Sequence, residues 1–163
     1  MLFALVIACA LADDAVTVFN GTHFVDGWRI INTAGTQIKV VQDEHENSFL
    51  WFELRPWDTV RVERSAVLNT KGFNFLSYTI EYNDAAVQKM RFRTRLFSEP
   101  YNQQTETELK PYYYLFKAGK EVEIFVPLTN AQVDDRLQVF SLQRIETTDG
   151  VVEFRVKKIA LVV

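Results

Sequence analysis

A chain of 163 residues with 48% apolar and 24% charged side chains suits a single folded domain with a full core. Its net charge of −3 argues against a nucleic-acid partner, which would call for a basic excess. Its one cysteine, Cys9, excludes an internal disulfide and a cysteine metal cluster.

Residues 1–12, MLFALVIACALA, are apolar and uncharged, and Ala10-Leu11-Ala12 has the small-x-small form of a signal-peptidase site just before Asp13-Asp14. The expectation is a signal peptide over 1–12 and a secreted mature domain over 13–163. Twelve residues cannot span a bilayer as a helix, so no integral membrane segment is expected. Two other readings of the run are a buried first strand of a cytosolic protein and a lipoprotein whose lipobox is Val6-Ile7-Ala8-Cys9.

From Asp13 the chain reads as short strands separated by turns. Residues 13–20 form the first, ending at Asn20-Gly21-Thr22, a glycosylation sequon with Asn20 as acceptor. Runs over 27–32 and 37–42 follow, joined by a turn at 33–36. An acidic loop holds Asp43, Glu44, His45 and Glu46. Phe49 to Leu54 is apolar on both parities, as a central strand covered on both sides would be. Arg55-Pro56-Trp57-Asp58 breaks it before a strand over 59–64.

The stretch Gly72 to Phe97 alternates most regularly. Leu76, Tyr78, Ile80 and Tyr82 share one parity, and Met90, Phe92, Thr94 and Leu96 another. Period two over this length marks half-buried antiparallel strands. The expectation is a hairpin with its turn at Asp84-Ala85-Ala86, setting Ile80 opposite Met90, Thr79 opposite Arg91 and Glu81 opposite Lys89. It would present Arg91, Arg93 and Arg95 on one face together with Thr79 and Glu81.

Residues 98–111 are polar, carry two prolines and read as the longest loop. Strands follow over 112–116, 121–127 and 137–145, with a loop over 128–135 holding at most one helical turn. The last strand, 151–163, changes phase at Lys157-Lys158, as a β-bulge would make it do. About ten short strands without a convincing amphipathic helix predict an all-β, antiparallel sandwich or barrel in one domain.

Short motifs narrow this fold. Asp26-Gly27-Trp28 resembles the D-G-x-W region of the galactose-binding-like jelly rolls, the fold of many carbohydrate-binding modules. Leu76-Ser77-Tyr78 with Ile80 resembles their central strand. Val126-Pro127-Leu128 resembles a strand end of theirs, and Phe154-x-Val156-Lys157-Lys158-Ile159-x-Leu161 their closing strand. The resemblance covers most of 27–163. It implies a jelly-roll β-sandwich and, as function, non-catalytic binding of a polysaccharide or glycan. Lys157 and Lys158 stand where the family often has the acidic residue of a structural calcium site. An ammonium cannot ligate a cation, so no metal and no cofactor is expected.

The candidate ligand residues are Trp57, Arg91, Arg93, Arg95, Thr79, Glu81 and Tyr113. Guanidinium forks suit carboxylates, sulfates and sugar hydroxyls, and an indole or phenol ring packs against the C–H face of a sugar. Trp57, in a break between strands, should be exposed, whereas Trp28 and Trp51 fall on strands and read as core. The blander reading of the arginine row, which the commonness of surface charge rows favours, is a solvated sheet face paired with Glu81 and other carboxylates. Asp43, Glu44 and Glu46 lack the strand spacing that would fix a pair of catalytic carboxylates. Without a nucleophile elbow, phosphate loop or zinc-spaced histidines, catalysis is not expected. A structural or adhesive extracellular protein using the same face is the alternative, and a jelly-roll glycoside hydrolase or lyase a third reading.

Overall fold

A computed structural model describes residues 15–31, 37–131 and 135–163. The proposed signal segment 1–12 and the turn at 33–36 lie outside the described residues. The strands are β1 (Ala15–Phe19), β2 (Trp28–Ile31), β3 (Ile38–Gln42), β4 (Ser48–Leu54), β5 (Thr59–Asn69), β6 (Phe75–Tyr82), β7 (Lys89–Phe97), β8 (Tyr112–Lys117), β9 (Val122–Pro127), β10 (Arg136–Arg144) and β11 (Val152–Val162). One six-residue helix, α1 (Gln103–Glu108), sits in the long connection after β7. No helix among the described residues is long and apolar enough to cross a membrane.

The strands form two antiparallel sheets, as the jelly-roll reading requires. The first has the order β3-β4-β11-β6-β9, with β1 also on β11; the second has the order β2-β5-β10-β7-β8. Their inner faces meet in one core that includes Phe52, Leu54, Val62, Leu76, Ile80, Met90, Phe92, Phe140, Leu142, Phe154 and Val156. Phe92 sits among the rings of Tyr114, Phe116 and Phe154, with centroids 5.7, 6.1 and 5.2 Å away. A polar cluster crosses this layer, in which the Tyr78 hydroxyl shares a 2.7 Å bond with Thr94 Oγ1 and also meets the Tyr114 hydroxyl. Burial pushes the Tyr78 hydroxyl well above its ordinary value, so it stays protonated.

The structure corrects one expectation of consequence. β6 and β7 are not a hairpin: β6 pairs with β11 and β9, whereas β7 pairs with β10 and β8. The connection between them turns the corner from one sheet to the other. The inward residues are those expected, since Leu76, Tyr78, Ile80, Tyr82, Met90, Phe92, Thr94 and Leu96 are all buried. Alternation fixes which parity faces the core, and a strand keeps that parity whether its successor lies beside it or across the core. In a sandwich the outward residues of two facing strands point in opposite directions.

Two other readings hold in their main point. β4 is central, between β3 and β11, although Trp51 and Glu53 are only half-buried on its outer side. The phase slip in β11 is a bulge: its register against β6 shifts between Val156 and Lys158, leaving both lysines exposed between buried Val156 and Ile159. At the entry to β2, Asp26 and Gly27 have φ of 50° and 77°. A Cβ on Gly27 would stand 2.7 Å from Ser65 Oγ, so the D-G pair is a backbone requirement of this turn.

Candidate functional site

The outer face of the second sheet collects most of the proposed ligand residues. Across β5, β10, β7 and β8, register places Thr59, Gln143, Arg93 and Tyr113 in one row. A neighbouring row runs Arg61, Ser141, Arg95, and on the other side Arg91 lies beside Leu115 and Lys89 beside Lys117. Thr79 and Glu81 are elsewhere. They lie on the outer face of the first sheet, where Glu81 pairs with Arg155 at 3.7 Å. The pairing of Thr79 with Arg91 and Glu81 with Lys89 fails because β6 and β7 belong to different sheets.

The face has a covered half and an open half. Over the covered half, the 98–111 segment folds back. Asn102 caps α1 by accepting from the Gln104 N–H at 2.9 Å. The Tyr101 ring stacks on the Arg61 guanidinium at 3.4 Å, and its hydroxyl donates to Glu106 at 2.8 Å. Glu106 in turn lies 3.9 Å from both Arg61 and Arg95. Phe97 and Val139, outward by parity, are buried, and Phe97 packs on Tyr101. Burial and the neighbouring charge of Arg93 pull the Arg95 guanidinium below its ordinary value, with Glu106 opposing. Arg95 thus belongs to the interior wiring of the face.

The open half is built around Trp57 and Arg93. Arg55 to Asp58 is a turn closed by a 3.1 Å bond from the Asp58 N–H to the Arg55 carbonyl. Pro56 occupies its second position, and Trp57 its third with φ 71°. That third position in a type II turn ordinarily takes glycine or asparagine, and a bulky residue there is strained. Trp57 nevertheless stands 55% exposed. Gln143 ties it to the sheet: its amide donates to the Trp57 carbonyl at 2.7 Å, and its Oε1 accepts from Arg93 Nε at 2.5 Å. The Arg93 guanidinium lies 6.0 Å from the indole centroid. Beside them, Arg91, Tyr113, Leu115 and Ile145 line a shallow recess of about 400 Å³. Tyr113 and Leu115 are each 56% exposed.

Arg144, one residue along from Gln143, supports this edge from beneath and was not singled out by sequence. It is fully buried and donates to the carbonyls of Leu54, Thr148 and Gly150 and to the Glu146 carboxylate. Its own backbone brackets the turn: the Trp57 N–H donates to the Arg144 carbonyl at 2.8 Å, and the Arg144 N–H donates to the Asp58 carbonyl at 3.2 Å. Burial pushes the Glu146 carboxyl up, but bonds from Thr148 and Arg144 outweigh this and hold it below its ordinary value. Parity could have found Arg144, which lies on the inward side of β10 with Phe140 and Leu142.

The first sheet's outer face shows a different economy. Lys39 lies over the Trp51 ring at 4.4 Å, Arg155 over Phe49 at 5.1 Å, and Lys157 pairs with Glu121. Trp51 is half-buried on this face, contrary to its reading as core, whereas Trp28 is buried in the core as expected. Asp43 builds the β3–β4 turn by accepting from the Asn47 and His45 N–H groups, each at 2.9 Å. Asn20 is exposed and accepts from Thr22 and His23 backbone N–H groups.

No family model and no curated protein matches this chain. Solved structures do. One is a family 11 carbohydrate-binding module from Clostridium thermocellum in complex with a β-1,3-1,4-mixed-linked tetrasaccharide, with TM-score 0.57 and 12% identity over 93% of this chain and 96% of that one. Another is the K1 cleaved adhesin domain of Lys-gingipain from Porphyromonas gingivalis, with TM-score 0.59 and 12% identity over 90% and 95%. A third, the CBM22-1–GH10 modules of C. thermocellum endo-1,4-β-D-xylanase 10B complexed with xylohexaose, has TM-score 0.59 and 17% identity over 93% of this chain and 29% of that one. The fold is the jelly roll of carbohydrate-binding modules, which among the matches include families 11, 22, 28 and 29.

Proposed function

We propose that the protein is a secreted, non-catalytic carbohydrate-binding module whose ligand lies on the open half of the second sheet. The observation that carries this reading is Trp57, a strained and exposed indole fixed by Gln143 beside Arg93. Bulky side chains persist in the left-handed region when surrounding structure holds them there, and such strain concentrates at binding sites. Glycine would satisfy the same turn without strain. An indole and a phenol flanking a guanidinium match a pyranose, with apolar C–H faces for Trp57 and Tyr113 and rim hydroxyls for Arg93. The jelly-roll fold supports the reading as an analogy of fold, which by itself assigns no ligand.

Affinity electrophoresis tests it. Migration of the protein through gels containing soluble xylan, mixed-linkage glucan or polygalacturonate should be retarded in at least one, and Trp57→Ala should abolish that retardation. Unchanged retardation of the variant would place the site elsewhere.

A second reading has its own support. Tyr113, Leu115 and Ile145 form an apolar patch with a basic rim, and an adhesin domain shares the fold. An adhesive protein would use that patch for protein contact, and would then show no glycan retardation.

A further inference from the structure

The covered half of the second sheet is an internal template for what the open half lacks. There, two arginines of one row across β5, β10 and β7 share one carboxylate, that of Glu106, and one aromatic ring, that of Tyr101, stacks on a guanidinium. Glu63, on the same face, is taken by Arg29. The open half repeats the cations and the rings without the acid. Among the described residues, Lys89, Arg91 and Lys117 are exposed and have no carboxylate partner, and the Arg93 side chain is hydrogen-bonded to neutral Gln143. Glu146, following Ile145, is occupied by Arg144 and Thr148. Asp58, beside Trp57, accepts from the Arg55 N–H.

Register sets the dimensions. Lys89, Arg91 and Arg93 recur every second residue of one strand, about 13 Å from first to last. Lys117 lies opposite Lys89 on the adjoining strand, about 5 Å across. The net charge of the chain is −3, so this cationic patch stands against the overall sign. Like charges held this close repel one another, and an anionic ligand relieves that repulsion.

We propose that the open half binds an anionic polysaccharide, bearing carboxylate or sulfate groups, with its acids on Lys89, Arg91, Arg93 and Lys117 and its sugar rings on Trp57 and Tyr113. The proposal rests on the carbohydrate-binding reading and specifies its ligand class. The ligand's acid takes the role that Glu106 plays in the covered half. Carboxylate and sulfate share the relevant chemistry, planar or tetrahedral oxyanions that accept paired N–H donors.

The test titrates the full chain, by calorimetry, with polygalacturonate, dextran sulfate, xylan, mixed-linkage glucan and oligo-dT. Salt is set at about 20 and about 500 mM, well above and well below a 10 Å screening length. The acidic glycans should bind at least about tenfold tighter than the neutral ones at low salt, and this advantage should collapse at high salt. Preference for polygalacturonate over dextran sulfate, or the reverse, identifies the acid. The double variant K89E/K117E changes only exposed side chains and should lose the advantage, while the control Arg155→Ala on the opposite sheet should keep it. Salt-insensitive binding of neutral glycans alone would overturn the charge assignment and leave the carbohydrate reading standing. Binding of no glycan would overturn both. Oligo-dT binding as tightly as the acidic glycans would also overturn the proposal, because phosphate would then do as well without a sugar of the right kind.

Discussion

Trp57 and Arg144 form a strained residue and the clamp beneath it. Replacing Trp57 by glycine removes a bulky side chain from φ 71°, so stability should hold or rise by up to about 1 kcal/mol. A binding loss in the same variant, measured against an unchanged or higher melting temperature, would separate a ligand role from a packing role. Arg144→Met should cost about 3–5 kcal/mol, since it strands Glu146 and three carbonyls; denaturant unfolding reads this directly. The pH dependence follows from Glu146. Its folded value lies below the ordinary glutamate value of 4.5, so its contribution is complete above that value and is lost as pH falls through the lower, folded one. Acid titration of the melting temperature should therefore show a limb below pH 4.5 that Glu146→Gln flattens. The exposure of Trp57 was legible from Pro56 and Asp58 on either side. Arg144 showed its inward parity, but its partners come from the end of β4 and from residues 146–150, and no single strand announces them.

At the scale of elements, parity was legible and pairing was not. The alternation in β6 and β7 correctly identified the core-facing residues, yet gave Thr79 and Glu81 the wrong company. A corner between sheets and a hairpin bury the same residues, and nothing local distinguishes them. Thr79 is the register partner of Glu123 on β9. In a chain with Cys9 replaced by serine, T79C/E123C should therefore form a disulfide on mild oxidation, and T79C/R91C should not. A bond in the second variant alone would restore the hairpin. The bulge at Lys157-Lys158 was legible because it interrupts a period the strand otherwise keeps. Helix α1 was not, because QQTETE has no apolar stripe. Its place is fixed by Asn102 at its cap and by Glu106 between two arginines, contacts with residues as far away as β5.

For the whole molecule, the two outer faces have different fates. On the first sheet, three cations meet acids or rings of the same face: Arg155 meets Glu81 and Phe49, Lys157 meets Glu121, and Lys39 meets Trp51. On the second, half the face is closed by the chain's own Tyr101 and Glu106, and the other half presents an indole, a phenol and a group of cations to solvent. The jelly-roll sandwich was legible from strand spacing and the motifs near Trp28, Tyr78 and Ile159. The division of the second face into covered and open halves was not, since it depends on where the 98–111 segment comes to rest.

A glycan array carrying neutral and acidic polysaccharides, probed with the wild-type protein and with W57A/R93A/Y113A, tests the binding assignment most directly. All three positions lie on the outer face and none contributes to the core, so the variant should keep its circular dichroism spectrum and its cooperative melt. The expected result is a defined set of bound glycans for the wild type and loss of that whole set in the variant. A variant that keeps the wild-type pattern, or a folded wild-type protein that binds no glycan on the array, would contradict the assignment.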